Sequence, residues 1–172
     1  VLVISIIILV VVGFVAVLWI GLARNEPLTG ASGSARVSRP AEDFTLPLFG
    51  GGELTLSSLR GKPVVINFWA SWCPPCREEA DILEEMWQRY KDKGVVFIGV
   101  DIQDTEEAAL AYLREFNITY PNGPDKNGKI TIDYGVAGIP VTFFVDREGL
   151  IVSRWVGALN EKLLVAKIEE LQ

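Results

Sequence analysis

Apolar residues fill the start of the chain, VLVISIIILVVVGFVAVLWIGLA, where Ser5 is the sole polar side chain and the first charge is Arg24. As a helix at about 1.5 Å per residue, Val1 to Ala23 would reach roughly 34 Å, enough to cross a hydrocarbon core of about 30 Å. A cleaved signal peptide would carry a shorter apolar region and a small-x-small cleavage site, which Ala23 does not offer. The pattern therefore predicts one retained transmembrane helix over 1–23. Residues 24–40, RNEPLTGASGSARVSRP, are rich in Gly, Ser, Ala and Pro without an apolar period, and predict a flexible linker. A folded domain is expected over 41–172.

Within that domain the pattern changes period several times. DFTLPLF, the glycines Gly50 to Gly52 and ELTL predict a β-hairpin, with Pro47 favouring an edge strand. VVINFWA, Val64 to Ala70, is short and almost wholly apolar, as expected of a central parallel strand buried on both faces. Leu83, Met86, Trp87 and Tyr90 then recur at helical spacing, and the helix begins at CPPC, since a first-turn proline forfeits no intrahelical bond. VVFIGV (Val95 to Val100) predicts a strand, EEAALAYLREF (Glu106 to Phe116) a helix and VTFFVD (Val141 to Asp146) a strand. The turn DREG joins the last of these to LIVSRW as a hairpin, and Asn160 caps a closing helix, NEKLLVAKIEEL. No periodicity decides the segment 120–138, where KITIDYGV holds a short helix or an irregular connection. Alternating elements of this kind give an α/β class with a mixed central sheet flanked by helices.

Charge and composition narrow the chemistry. The formal net charge of −6, with basic residues interspersed among acids, excludes nucleic acid as a partner and leaves membrane attachment to the apolar helix. Arg24, Arg36 and Arg39 taken alone would place the domain in the cytoplasm by the positive-inside rule. The chain has no histidine, which removes Ser-His and Cys-His dyads and His-ligated metals. Catalysis falls to cysteines and carboxylates.

Both cysteines, Cys73 and Cys76, stand in FWASWCPPCREE. A structural disulfide at this spacing closes too small a loop to restrain the unfolded chain much. A structural zinc site would need four Cys or His ligands, although a two-thiolate Cu(I) site stays open. The redox reading has a physical basis: sulfurs on the first helical turn can reach bonding distance, and the helix N-terminus stabilises a thiolate. In that reading Cys73, at the exposed start of the turn, attacks a substrate disulfide and Cys76, one turn deeper, resolves the mixed disulfide.

FWASWCPPC, then GVAGIPVTFFVDREG, with an anchor and linker in front, resembles the membrane-anchored TlpA/ResA/DsbE-like branch of the thioredoxin superfamily, from Ala41 to the C-terminus. The resemblance implies a thioredoxin-like fold, thiol-disulfide oxidoreductase activity without a cofactor beyond the Cys73–Cys76 disulfide, no metal, and protein disulfides as substrates. It implies that Pro140 is cis and sits against the cysteines, leaving Ile139 to pair with an extended substrate segment. With Trp72, Pro74 and Pro75, these two residues would make the substrate surface. Trp69 is expected in the core.

Thioredoxins proper carry Asp where this chain has Asn67, and an amide cannot take the proton of the second cysteine. Glu79 is the candidate for that task, because Cys76, Glu79, Leu83, Met86 and Tyr90 share one helical stripe and burial would raise its pKa toward neutrality. Its position also matches the acidic residue that the family carries three beyond the second cysteine. CPPC lacks the histidine that strong oxidants of the superfamily place between the cysteines, and Pro75 removes an N–H that could face the sulfur, so a reductant is expected. The family implies a domain on the extracytoplasmic side of the cell membrane, reducing the haem-attachment cysteines of apocytochrome c and recharged by a membrane electron donor, and a monomer is expected. Ile139 departs from the threonine of some cytochrome-maturation members, which leaves a general extracytoplasmic reductase as the alternative. A peroxidase would want Thr where Ala70 stands. A Cu(I) carrier or a redox-sensing module is the reading from another class.

Overall fold

The computed structural model describes Ser5 and residues 34–171. Apart from Ser5, the predicted transmembrane helix and residues 24–33 of the predicted linker lie outside the described residues. Among the described residues, no helix is long and apolar enough to cross a membrane. The elements run β1 (Ser34–Pro40), β2 (Thr45–Pro47), β3 (Glu53–Thr55), β4 (Val64–Trp69), α1 (Pro74–Tyr90), β5 (Val96–Asp101), α2 (Glu106–Glu115), β6 (Asn122–Pro124), α3 (Lys129–Asp133), β7 (Val141–Val145), β8 (Leu150–Val156) and α4 (Glu161–Glu169).

Among the described residues, six strands form one mixed sheet in the order β1-β8-β7-β4-β5-β6, and β2 pairs with β3 in a separate hairpin. β4 is central as predicted, parallel to β5 on one side but antiparallel to β7 on the other. The hairpin forms at the predicted place, its chain reversed where Gly51 and Gly52 take positive φ. Residues 34–40 correct the linker reading: they pair with β8 as β1. The edge of β8 offers unpaired backbone groups, and a backbone ladder needs no apolar period in the strand that fills it. β6 arises in the same way, three residues of apparent turn sequence taken up by the open edge of β5. KITIDYGV does hold a short helix, α3.

All six residues of β4 are buried, which accounts for its apolar run. Val64, Ile66 and Phe68 face the hairpin and α3, packing with Phe44, Leu46, Ile130 and Tyr134. Val65 faces α1 and α4, packing with Leu83, Met86, Leu164 and Ile168. Trp69, at the end of the strand, joins Tyr112 and Ala109 of α2 in a third cluster that contains both cysteines. One row departs from this apolar filling. Thr142, Asn67, Gly99 and Asn122 stand side by side across β7, β4, β5 and β6.

Candidate active site

The C-terminal end of β4 delivers the chain to the cysteines. Cys73 is the N-cap of α1, and Pro74 and Pro75 occupy the first two helical positions. An N-cap side chain ordinarily accepts from the second or third N–H of its helix. Here the second is Pro75, which has none, so the Cys73 sulfur accepts a bond from the Cys76 N–H at 3.2 Å. The two sulfurs are joined as a disulfide, with an S–S distance of 2.06 Å.

Burial corrects one expectation. Cys73 is 2% exposed, not open at the start of the turn, because Trp69, Ala70, Ala80 and Tyr112 close around the pair, with Phe49 and Ile139 packed against them. Trp72 is 55% exposed and Pro74 is exposed, so the accessible surface beside the disulfide comes from the neighbours of Cys73. The Ile139–Pro140 peptide is cis. Ile139 reaches the cysteine cluster and Pro140 is buried at the head of β7.

Glu79 lies one helical turn beyond Cys76 and is fully buried. One carboxylate oxygen accepts from Asn67 Nδ2 at 2.8 Å and the other from the Leu159 N–H at 2.7 Å. Burial penalises the charged form and raises the pKa from 4.5 to about 7, while both hydrogen bonds pull it down. Burial wins. The amide of Asn67 also donates to Thr142 Oγ1 at 3.0 Å, which fixes its orientation toward Glu79.

A second set of contacts holds the helix start. Trp69 Nε1 donates to Asn122 Oδ1 at 2.9 Å, its ring stacks on Tyr112 at 4.3 Å, and the Tyr112 hydroxyl donates to the Cys76 carbonyl at 3.0 Å. Trp69 is thus in the core as expected, and it also braces the site. Cys73, Cys76, Glu79 and Ile139, all candidates from the sequence, lie together in the structure with Asn67, whereas Thr142, Asn122 and Tyr112 were not anticipated. Their positions depend on strand register and helix packing, which leave no local signal.

A protein-family model described as the AhpC/TSA family matches residues 37–154. The chain belongs to the AhpC/TSA family. Among relatives, the thiol:disulfide interchange protein HelX of Rhodobacter capsulatus is 37% identical over 95% of this chain and 91% of its own. The thiol-disulfide oxidoreductase ResA of Bacillus cereus is 30% identical over 79% of each chain. Among solved structures, a putative thiol:disulfide interchange protein DsbE from Chlorobium tepidum aligns with a TM-score of 0.74 at 31% identity, covering 78% of this chain and 96% of that one. This member of the AhpC/TSA family is a thiol-disulfide oxidoreductase with the thioredoxin-like fold, and its CxxC pair is Cys73 and Cys76.

Proposed function

We propose that the protein is a disulfide reductase held at the cell membrane by residues 1–23, with its domain on the extracytoplasmic side, passing electrons to protein disulfides. The observation that carries the direction is the capping of Cys73. With Pro75 in the second helical position, the sulfur receives one backbone N–H where an N-cap acceptor could be offered two. Less stabilisation of the thiolate means a weaker preference for the reduced form, and so a lower potential. The names of HelX, DsbE and ResA support exchange between thiols and disulfides. The haem-attachment cysteines of apocytochrome c are the substrate that the family resemblance favours.

In the reduced protein, Cys73 thiolate attacks one sulfur of the substrate disulfide and the other leaves as a thiolate. Cys76 then gives its proton to the Glu79 carboxylate and attacks Cys73 Sγ, releasing the second substrate thiolate. Two electrons pass to the substrate and the Cys73–Cys76 disulfide forms. Trp72, Pro74, Pro75, Ile139 and Pro140 line the approach, with the Ile139 backbone pairing to an extended substrate segment. A membrane electron donor of the thiol-reducing type restores the dithiol, and the protein works as a monomer.

The deciding experiment is the reduction potential of the full chain, equilibrated against defined thiol buffers. A value near that of thioredoxin, about −270 mV, is expected. A value near −120 mV, typical of a strong oxidant, would reverse the direction of electron flow and sink the reductase reading.

A further inference from the structure

Asp101 ends β5, directly across from Trp69 in the register of the sheet, on the side of the active-site turn. The residue is 3% exposed, yet its Oδ1 has no hydrogen-bond partner among the described residues. Leaving a buried carboxylate unpaired is unfavourable, and such a group calls for a cation or a donor. The carboxyl borders a cleft of about 310 Å³ whose charged lining is Asp101, Asp104, Glu106 and Lys126, completed by Gln103 and Pro124. Three acids face one base, in a chain that is acidic overall.

The cleft is tied to the disulfide turn. Asp104 Oδ2 accepts from the Ser71 N–H at 2.6 Å, the Trp72 indole donates to the Gln103 carbonyl at 3.0 Å, and the Ile102 N–H donates to the Trp69 carbonyl at 3.0 Å. Exposed Trp72 therefore lies between the cysteines and the cleft. The cleft also opens beyond the carboxyl ends of the parallel strands β4 and β5, where α/β sheets commonly receive ligands. Among the described residues, no group of three or more ligating side chains is arranged to hold a metal ion, which favours an organic cation.

We propose that this cleft is a subsite for a lysine or arginine side chain of the substrate polypeptide, close in sequence to the cysteine that Cys73 attacks. The incoming cation pairs with the Asp101 carboxyl from the cleft side, with Asp104 and Glu106 adding attraction and Lys126 setting a limit on acidic neighbours. Apolar residues of the same segment lie on Trp72. Burial and the neighbouring Asp104 raise the Asp101 pKa to about 7, so a bound cation also draws the carboxyl into its charged form. The inference rests on the thiol-disulfide exchange assigned to this site and adds a preference among its substrates.

The test uses the prereduced full chain and a set of disulfide-bonded peptides, each with lysine or norleucine at one position on either side of the cysteine. At the position that reaches the cleft, lysine should raise kcat/KM about tenfold over norleucine, as for one charge-assisted hydrogen bond. Asp101→Asn should abolish that ratio, and Glu106→Gln, on the exposed rim, should lower it. A flat set, or a preference that survives Asp101→Asn, overturns the subsite. Failure to reduce any peptide would count against the exchange reading instead, and calorimetry with disulfide-free lysine and norleucine peptides would still judge the subsite: equal binding of the two overturns it.

Discussion

Asn67 and Gly99 sit next to each other in the sheet and make opposite demands on space. Asn67 uses both amide hydrogens, one on Glu79 and one on Thr142, and so presents a fixed donor to the buried carboxyl. If Glu79 is the base for Cys76, the resolving step should accelerate as pH rises through about 7. Glu79→Gln should remove that rise and slow resolution about 100-fold above neutrality, measured by rapid mixing of the reduced protein with a disulfide. An unchanged pH profile would end the assignment. Gly99 is required for room: a Cβ there would lie 1.6 Å from Asn122 Oδ1 and 2.8 Å from Trp69 Nε1. Gly99→Ala should cost about 1–3 kcal/mol in chemical denaturation, because Asn122 and Trp69 are both buried and cannot withdraw. Cys73, Cys76 and Glu79 were legible from their spacing, and Asn67 from the family resemblance, since thioredoxins proper carry Asp at its position. Thr142 and Asn122 reach the same row from strands far apart in the chain, so only the register reveals them.

Among the elements, α1 carries the chemistry at its first turn and the packing in the rest. Its apolar stripe, Leu83, Met86 and Tyr90, buries one face against the sheet and holds the N-terminus where β4 releases the chain. Pro75→Ala restores an N–H at the second helical position, where it can bond the Cys73 sulfur. The thiolate gains one charge-assisted bond of about 1.5 kcal/mol, and the reduction potential should rise by about 30 mV in thiol-buffer equilibration. No rise would mean that the sulfur does not read the cap. The elements with a strong period, β4, β5, β7, β8, α1, α2 and α4, were all legible within a residue or two. β1 and β6 were not, because each is made by an unpaired edge that accepts backbone of nearly any sequence. The orientation of β7 against β4 was equally hidden, since a buried apolar strand reads alike in either direction.

For the molecule as a whole, two buried carboxyls make folding depend on protons. Glu79 has a folded pKa of about 7 against an ordinary value of 4.5, so the folded state holds a proton that the unfolded state releases between those values. Its contribution is fully present below about pH 4.5 and is lost as pH rises through 7, on the order of 3 kcal/mol in all. Asp101 acts in the same direction. The midpoint of thermal unfolding should therefore fall between pH 5 and pH 8, where an ordinary acidic protein would change little; a flat profile would mean that these groups ionise on the fold as they do in water. The arrangement of Trp69 has an optical consequence as well. Its indole is sealed from solvent in the same cluster as the disulfide and stacked on Tyr112, whereas the indole of Trp72 faces water. Disulfides quench nearby indole emission, so reduction of Cys73–Cys76 should brighten a blue-shifted fluorescence band that acrylamide barely touches, and the chain carries its own gauge of which redox state it occupies.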